Sequence, residues 1–402
     1  MNFNRRDLLL SGAAVGTTFA AATMADRANS QEPATKASAA ATDLRVPSSE
    51  RHIPIITLRD LEADAQKVLP AYSQAYIAGG AGDEWSMREN EAAINRWIIE
   101  PDFLSGNLRA DPAATLFGSK LAAPVIAAPI ASHTLFNTAG EAATAKGTDQ
   151  AGSIFVNSSA STLDLETIAA SSPGPKWFQI YLPVDRGFAR ELLQRAKAAG
   201  YKVIVITVDA TVISNRERVM RVIGQATPNL GGGNKPRTPS VDPIAAAAWK
   251  RDLTWDDVAF CGTESGLPVV VKSIITLKNV KQAMAHGCAG VWISNHGGRQ
   301  LDNVAAPMDV LPRVVEAVDG RGPIIVDGGI RRGQDVFRAL ALGASAVSIG
   351  RPLMYGLALG GAGGVQSVFQ HLKSELEMVM QLSGTPTIKA ITRGCVSPHL
   401  VS

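Results

Sequence analysis

Cysteine is nearly absent: Cys261, Cys288 and Cys395 are the only three in 402 residues, and they stand singly. That excludes a disulfide framework and a C-x-x-C metal or redox pair, leaving packing as their expected role. Tyrosine is scarce, at five. Charge of one sign is missing as well, because 39 Lys and Arg against 36 Asp and Glu leave a net charge of +3. Basic residues are mostly interleaved with acidic ones, so the surplus gives no argument for nucleic acid or an anionic membrane surface. Beyond the first thirty residues no apolar run approaches transmembrane length. What is present is 46 % hydrophobic residues, 37 glycines and 22 prolines, the profile of a globular α/β enzyme.

Residues 1–30 form a separate element. "NRRDLLLSGAAVGTTFAAATMA" begins with paired Arg5 and Arg6 and runs into a weakly apolar stretch rich in Gly, Ala and Thr. This layout is expected of a twin-arginine export signal, either cleaved or retained as an anchor, and points to a periplasmic protein. Residues 31–49 read as a flexible linker, and residues 50–402 as one catalytic domain.

Within that domain eight short apolar runs recur: "PVIAA", "SIFVN", "WFQIY", "VIVITV", "PVVVK", "GVWIS", "PIIVD" and "SAVSI". Near-continuous apolar runs suit strands buried on both faces of a parallel sheet. Amphipathic stretches such as "FARELLQRAKAAG" and "DVFRALALG" lie between them and close on glycine, a helix-stop signal. Eight strand–helix repeats predict a (β/α)8 barrel. An N-terminal helical segment over 50–110 precedes it. The one long step, between Val203 and Pro268, holds the Gly/Pro-rich insertion "ATPNLGGGNKPRTPSVDP", read as a lid or a passive loop after strand four.

Barrel enzymes build their sites at the C-terminal ends of the strands. Here nearly every exit carries polar residues: "APIA", "NSS", "QIY", "TVD", "VK", "SNHGGR", "VDGGIRRG" and "IGR". The glycine turns after strands seven and eight, with Arg331 and Arg351, fit a phosphate. Lys272 ends a buried strand, where an ammonium requires a partner or a polar ligand. Ser158, Gln179, Thr207 and Ser294 offer hydrogen bonds suited to a planar heterocycle. His296 and Arg299 follow strand six, while Asp209, Arg216 and Tyr181 lie on neighbouring exits. A histidine beside a carboxylate can act as a base near neutral pH, and converging arginines suit a carboxylate substrate. His133 also follows a strand and is a weaker candidate.

These motifs, above all "SNHGGRQLD", "VDGGIRRGQDVF", "ALALGA" and "IGRP", resemble the FMN-dependent L-2-hydroxy acid oxidising family. "WFQIY", "DATVISNRER" and "GLALGGAGG" look closest to its lactate oxidase branch. The resemblance implies FMN as cofactor and His296 as the base, with Asp209 stabilising its protonated form. Arg216, Arg299 and Tyr76 would bind the substrate carboxylate, Tyr181 would contact the hydroxyl, and Lys272 would face flavin N1 and the C2 carbonyl. The backbone of Pro129, Ile130 and Ala131, together with Ser158, Gln179, Thr207 and Ser294, would surround the isoalloxazine and ribityl chain. Asp327, Gly328, Gly329, Arg331, Gly350 and Arg351 would hold ribityl and phosphate. A homo-tetramer is the implied assembly.

Two departures bear on substrate choice. No tyrosine lies in the insertion, where lactate oxidases place tyrosines over the substrate, and Ala160 stands where glycolate oxidases carry a large aromatic. The electron acceptor is open between oxygen, giving peroxide, and a cytochrome or quinone. Another phosphate-binding barrel enzyme would explain the glycine turns but not the His296, Arg299 and Arg216 set. A non-catalytic periplasmic binding protein would need no base.

Overall fold

A computed structural model describes residues 46, 49–106, 109–222, 232–237 and 248–399. The export signal, most of the linker and most of the Gly/Pro-rich insertion fall outside the described residues. The eight apolar runs all form strands: β1 (Val125–Ala127), β2 (Phe155–Ser158), β3 (Lys176–Ile180), β4 (Ile204–Thr207), β5 (Val269–Lys272), β6 (Gly290–Ile293), β7 (Ile324–Asp327) and β8 (Ala346–Ile349). Every ladder is parallel, in the order β1-β8-β7-β6-β5-β4-β3-β2. Between β1 and β2 there is no ladder; the Ala127 amide donates to the Ile154 carbonyl at 3.0 Å and closes the ring.

Strand residues alternate between two environments because side chains on a strand point to opposite faces in turn. One set, Ile126, Val156, Trp177, Val205, Val270, Trp292, Ile325 and Ala346, forms a single buried cluster inside the ring. The intervening residues, such as Phe178, Ile206, Val271, Ile293 and Val326, belong to the larger cluster under the helices. A hairpin of Ala114–Leu116 and Ser119–Leu121 closes the lower end, where Leu116 and Leu121 join the inner cluster and Phe117 meets Trp177 edge-on at 5.3 Å.

The outer helices are α1 (Gly140–Gln150), α2 (Leu165–Ala170), α3 (Arg186–Ala198), α4 (Trp255–Ser265), α5 (Leu277–Ala285), α6 (Pro307–Val318), α7 (Gly333–Ala341) and α8 (Arg351–Leu382). In α3, Phe188, Ala189, Leu192, Leu193 and Ala196 are buried, a single helical face directed at the sheet. Asp185 caps it by accepting the Phe188 amide at 2.7 Å. α8 breaks at Gly360 and Gly361, the latter with φ +56°, where the Arg51 amide donates to the Gly360 carbonyl.

The segment expected to be helical does form Asp60–Gln66, Ala71–Ala78 and Trp85–Asn95, but then turns into the strand Trp97–Ile99. That strand pairs antiparallel with Val396–Pro398 near the far end of the chain, a partner local pattern could not reveal. No helix of the described residues is long and apolar enough to cross a membrane.

α1 and α8 meet at a glycine contact: a Cβ at Gly147 would stand 2.3 Å from the Ala362 carbonyl oxygen and 2.8 Å from Val365 Cβ. Gly147→Ala should lower stability by about 1–3 kcal/mol through overpacking, read as a fall in Tm; an unchanged Tm would show that the two helices separate freely.

Candidate active site

The inner apolar layer explains where the site lies. Two residues beyond each member, on the same inward face, stand Ala128, Ser158, Gln179, Thr207, Lys272, Ser294, Asp327 and Ser348. A hydrophobic floor thus carries a polar layer at the strands' C-terminal ends. Several atoms of that layer are buried without a partner among the described residues: Gln179 Nε2, Thr207 Oγ1, Asp327 Oδ1 and Ser348 Oγ. Buried polar atoms are rarely left unpaired, so the layer has the donors and acceptors a polar planar ligand would engage. Ser158 Oγ donates to Gln179 Oε1 at 2.8 Å, aiming the glutamine amide nitrogen away from the carbonyl side of that pair.

Lys272 is the only cation in this layer. Its Nζ donates to Ser294 Oγ at 2.9 Å, lies 3.4 Å from Asp327 Oδ2 and stands 5.4 Å from the Trp292 ring centre. Trp292 Nε1 donates to the same Asp327 oxygen at 2.9 Å. The ammonium is therefore both paired and directed into the mouth.

His296 follows β6 with φ +58°, a left-handed conformation uncommon for a residue with a Cβ. Its amide donates to Ser294 Oγ at 2.9 Å, and its Nδ1 lies 2.9 Å from Asp209 Oδ1. Burial lowers the imidazole's pKa, and nearby Lys272 and Arg216 act in the same direction against the raising influence of Asp209, leaving it below the ordinary value. Burial raises the Asp209 carboxyl, but the contact with His296 and the Lys272 charge outweigh it and hold it low. The histidine is therefore neutral and able to accept a proton across the neutral range, losing that capacity only as pH falls below its lowered pKa.

Around this dyad three arginines stand without a carboxylate partner among the described residues. No Asp or Glu of the described residues forms an ion pair with Arg216, Arg299 or Arg351, whereas Lys272 pairs with Asp327 and Arg331 with Glu91, each at 3.4 Å. Arg299 Nη1 donates to the carbonyls of Gly79 at 2.7 Å and Ile77 at 3.4 Å, and the guanidinium lies 5.1 Å from the Tyr76 ring centre. Its Nε and Nη2 make no hydrogen bond among the described residues. Burial and the neighbouring Arg216 and Arg351 push its pKa down to about 9. Arg216 is oriented by Gln300, whose Oε1 accepts from Nη2 at 2.7 Å while its Nε2 donates to the Asp209 carbonyl at 2.9 Å. Arg351 donates to Ile77 and Gly297 carbonyls, both at 3.0 Å, and burial with the Arg331 charge lowers its pKa to about 10. Gathered cations without counter-charges form a receptor for anions.

The exits of β1 and β8 complete the mouth. Pro129, Ile130, Ala131 and Gly350 are partly exposed there, as are Gly328, Gly329 and Arg331 after β7. The glycines have tighter reasons for being glycine than a ligand alone. A Cβ at Gly298 would fall 2.6 Å from the Met87 amide, and one at Gly329 would fall 2.6 Å from the Asn90 carbonyl oxygen. At those two positions helix Trp85–Asn95 fills the side on which a Cβ would stand.

Tyr181 lies among the same groups: burial raises its pKa, with Asp209 and Tyr76 adding to the rise and Arg216 and Arg299 opposing it. Trp249 stacks on it at 4.5 Å, a contact not foreseen because Trp249 ends the insertion; its bridge to Pro183 brings it there. His133 lies apart in a buried network, its Nδ1 2.9 Å from Thr144 Oγ1 and its amide donating to Glu141, and burial lowers its pKa. Asn90, Gln300 and Ser348 also belong to this region, with no local sequence pattern to mark them. Cys261 and Cys288 are buried and Cys395 partly so.

A polar ring cradle, an anion receptor and a histidine–carboxylate pair at the top of a (β/α)8 barrel define an oxidoreductase of the flavin-binding barrel class. The chain belongs to the FMN-dependent dehydrogenase family, whose model matches residues 65–398, and is an FMN-dependent enzyme of its 2-hydroxy acid oxidase branch. L-lactate oxidase of Streptococcus iniae is 43 % identical over 357 residues, covering 86 % of this chain and 87 % of that protein. Glycolate oxidase of Spinacia oleracea is 38 % identical over 353 residues, 85 % and 96 % of the two chains. Among solved structures, a lactate oxidase of Pediococcus acidilactici superposes with a TM-score of 0.83 at 41 % identity, covering 87 % of this chain and 97 % of its own.

Removing the Asp209 charge removes the influence that raises the His296 pKa. In Asp209→Asn the His296 ring should titrate at lower pH than in the parent protein, followed by histidine-selective NMR. An unchanged or higher midpoint would contradict the coupling.

Proposed function

We propose that the protein oxidises an L-2-hydroxy acid of the L-lactate type to the corresponding 2-oxo acid, with oxygen as final acceptor and hydrogen peroxide as co-product. The observation that carries the reading is the pairing of a neutral, Asp209-held His296 with an Arg299 guanidinium whose Nε and Nη2 edge has no partner among the described residues. A carboxylate fits such an edge with two parallel hydrogen bonds. The names of the similar lactate and glycolate oxidases support the same substrate class.

FMN, when bound, supplies the two-electron acceptor and returns the pair to oxygen. The chain's own residues do the rest. Arg299 and Arg216, with Tyr76, fix the substrate carboxylate, and Tyr181 contacts its hydroxyl. His296, whose Nδ1 is engaged by Asp209, takes the substrate proton on Nε2, and Asp209 stabilises the imidazolium that results. Ser158, Gln179, Thr207, Lys272 and Ser294, with the backbone of Pro129 to Ala131, would hold the cofactor ring. Asp327, Gly328, Gly329, Arg331, Gly350 and Arg351 would hold its ribityl and phosphate. The twin-arginine leader, in our reading, sends this domain to the periplasm already folded.

Anaerobic mixing with glycolate, L-lactate, L-mandelate and longer L-2-hydroxy acids should bleach the flavin absorbance, fastest with a lactate-like acid. His296→Ala should keep its FMN and lose bleaching by about 10²–10⁴-fold, the usual worth of a positioned base. Wild-type reduction by that variant would refute the base, and a protein that cannot be loaded with FMN would sink the whole reading. Replacing both Arg5 and Arg6 by lysine should retain the protein in the cytoplasm on cell fractionation; undiminished periplasmic recovery would overturn the export assignment.

A further inference from the structure

Helix Trp85–Asn95 lies outside the barrel in sequence, yet it is fastened to the loop that carries His296. Asp302 accepts the Ser86 amide at 2.8 Å and the Trp85 amide at 3.3 Å. Ser86 Oγ accepts the Val304 amide, and the Ala81 amide donates to the Gly298 carbonyl at 2.8 Å. These contacts fix the register of the helix and bring Asn90 to the residue immediately before His296.

The two side-chain amides, of Asn90 and Asn295, bind each other reciprocally. Asn90 Nδ2 donates to Asn295 Oδ1 at 2.8 Å, and Asn295 Nδ2 donates to Asn90 Oδ1 at 2.7 Å. Both residues are buried, at 2 % and 4 % exposure. Asn295 Oδ1 also accepts the Gly298 amide at 3.1 Å, closing the turn that contains His296. On its other side Asn90 touches the glycine turn after β7: a Cβ at Gly328 would stand 3.0 Å from Asn90 Nδ2. One amide therefore meets both the turn that carries the histidine and the Gly328–Gly329 turn.

We infer that Asn90 is a positioning residue for His296, acting through Asn295 to hold the histidine's left-handed backbone so that the ring keeps its contact with Asp209. A residue with a Cβ stays in that conformation only where its surroundings over-determine it, and a buried amide pair satisfies both partners only while each offers one donor and one acceptor. Asn90→Asp preserves volume but turns the Asn90 donor into an acceptor facing Asn295 Oδ1. Asn90→Ala removes both bonds and leaves the Asn295 amide without its partner.

The inference rests on the reading of His296 as base, and the test separates the two. In stopped-flow anaerobic reduction of the FMN-loaded enzyme by L-lactate, both Asn90 variants should lose about 10–100-fold in the limiting reduction rate. The apparent Kd for lactate should change less than about threefold. Asn295→Ala combined with Asn90→Ala should be no slower than either alone, as expected of two residues acting as a unit. In NMR of the same holoenzymes the His296 ring resonances should shift, while those of His133, in its separate network, stay in place. If Asn90→Ala fails to fold, Asn90→Asp alone decides. A wild-type limiting rate in Asn90→Asp, with His296→Ala inactive, overturns the positioning role and leaves the base intact. An active His296→Ala variant overturns the base and with it this inference.

Discussion

A closed parallel barrel lets each strand send only every second residue inward, and the whole active site follows from that restriction. With strands of four or so residues, one inward position is spent on the floor and the next reaches the mouth. Ile126, Val156, Trp177, Val205, Val270, Trp292, Ile325 and Ala346 fill the floor. The next inward positions carry Ser158, Gln179, Thr207, Lys272, Ser294, Asp327 and Ser348. Stability and chemistry thus occupy adjacent layers of the same strands, and the floor's two tryptophans give the upper layer a rigid base. Trp292 takes part in both, since its ring fills the floor while its Nε1 holds Asp327 for Lys272.

The electrostatics of the mouth combine two opposed needs. A proton acceptor must be neutral before it acts, and an anion receptor must be charged before it binds. Burial serves the first by holding His296 below its ordinary pKa, and the same burial opposes the second, lowering Arg299 to about 9 and Arg351 to about 10. Because guanidinium starts so high, both arginines remain charged at neutral pH. Histidine and arginine can therefore share one dry, cationic site with opposite charge states. A lysine in place of Arg299 would start nearer the range where such burial neutralises it.

The strands were legible because parallel barrel strands are buried on both faces, which leaves unbroken apolar runs such as "VIVITV" ending in polar residues. His296, Asp209, Arg216, Arg299 and Tyr181 were recognisable from motif and position, and they do converge on one mouth. Asn90, Gln300 and Trp249 were not recognisable, because their significance lies in partners distant in the chain or in a bridge no local pattern encodes. Asn90 reads as an ordinary polar residue of an amphipathic helix until Asn295 is found against it. The need for glycine at Gly298 was not legible either, because it is set by Met87, more than two hundred residues earlier in the chain. Likewise, Trp97–Ile99 looked helical since its antiparallel partner, Val396–Pro398, lies at the other end of the domain.

β1 has a ladder only with β8, and a single amide reaches across to β2. During synthesis, then, the first barrel strand waits for nearly the whole remaining domain before it gains a paired neighbour. Contacts so far apart in sequence slow folding, because the chain must be looped before they can reward it. The β1–β8 ladder joins the first and last staves of the barrel, and a chain cut short of β8 would leave its first strand without a ladder partner.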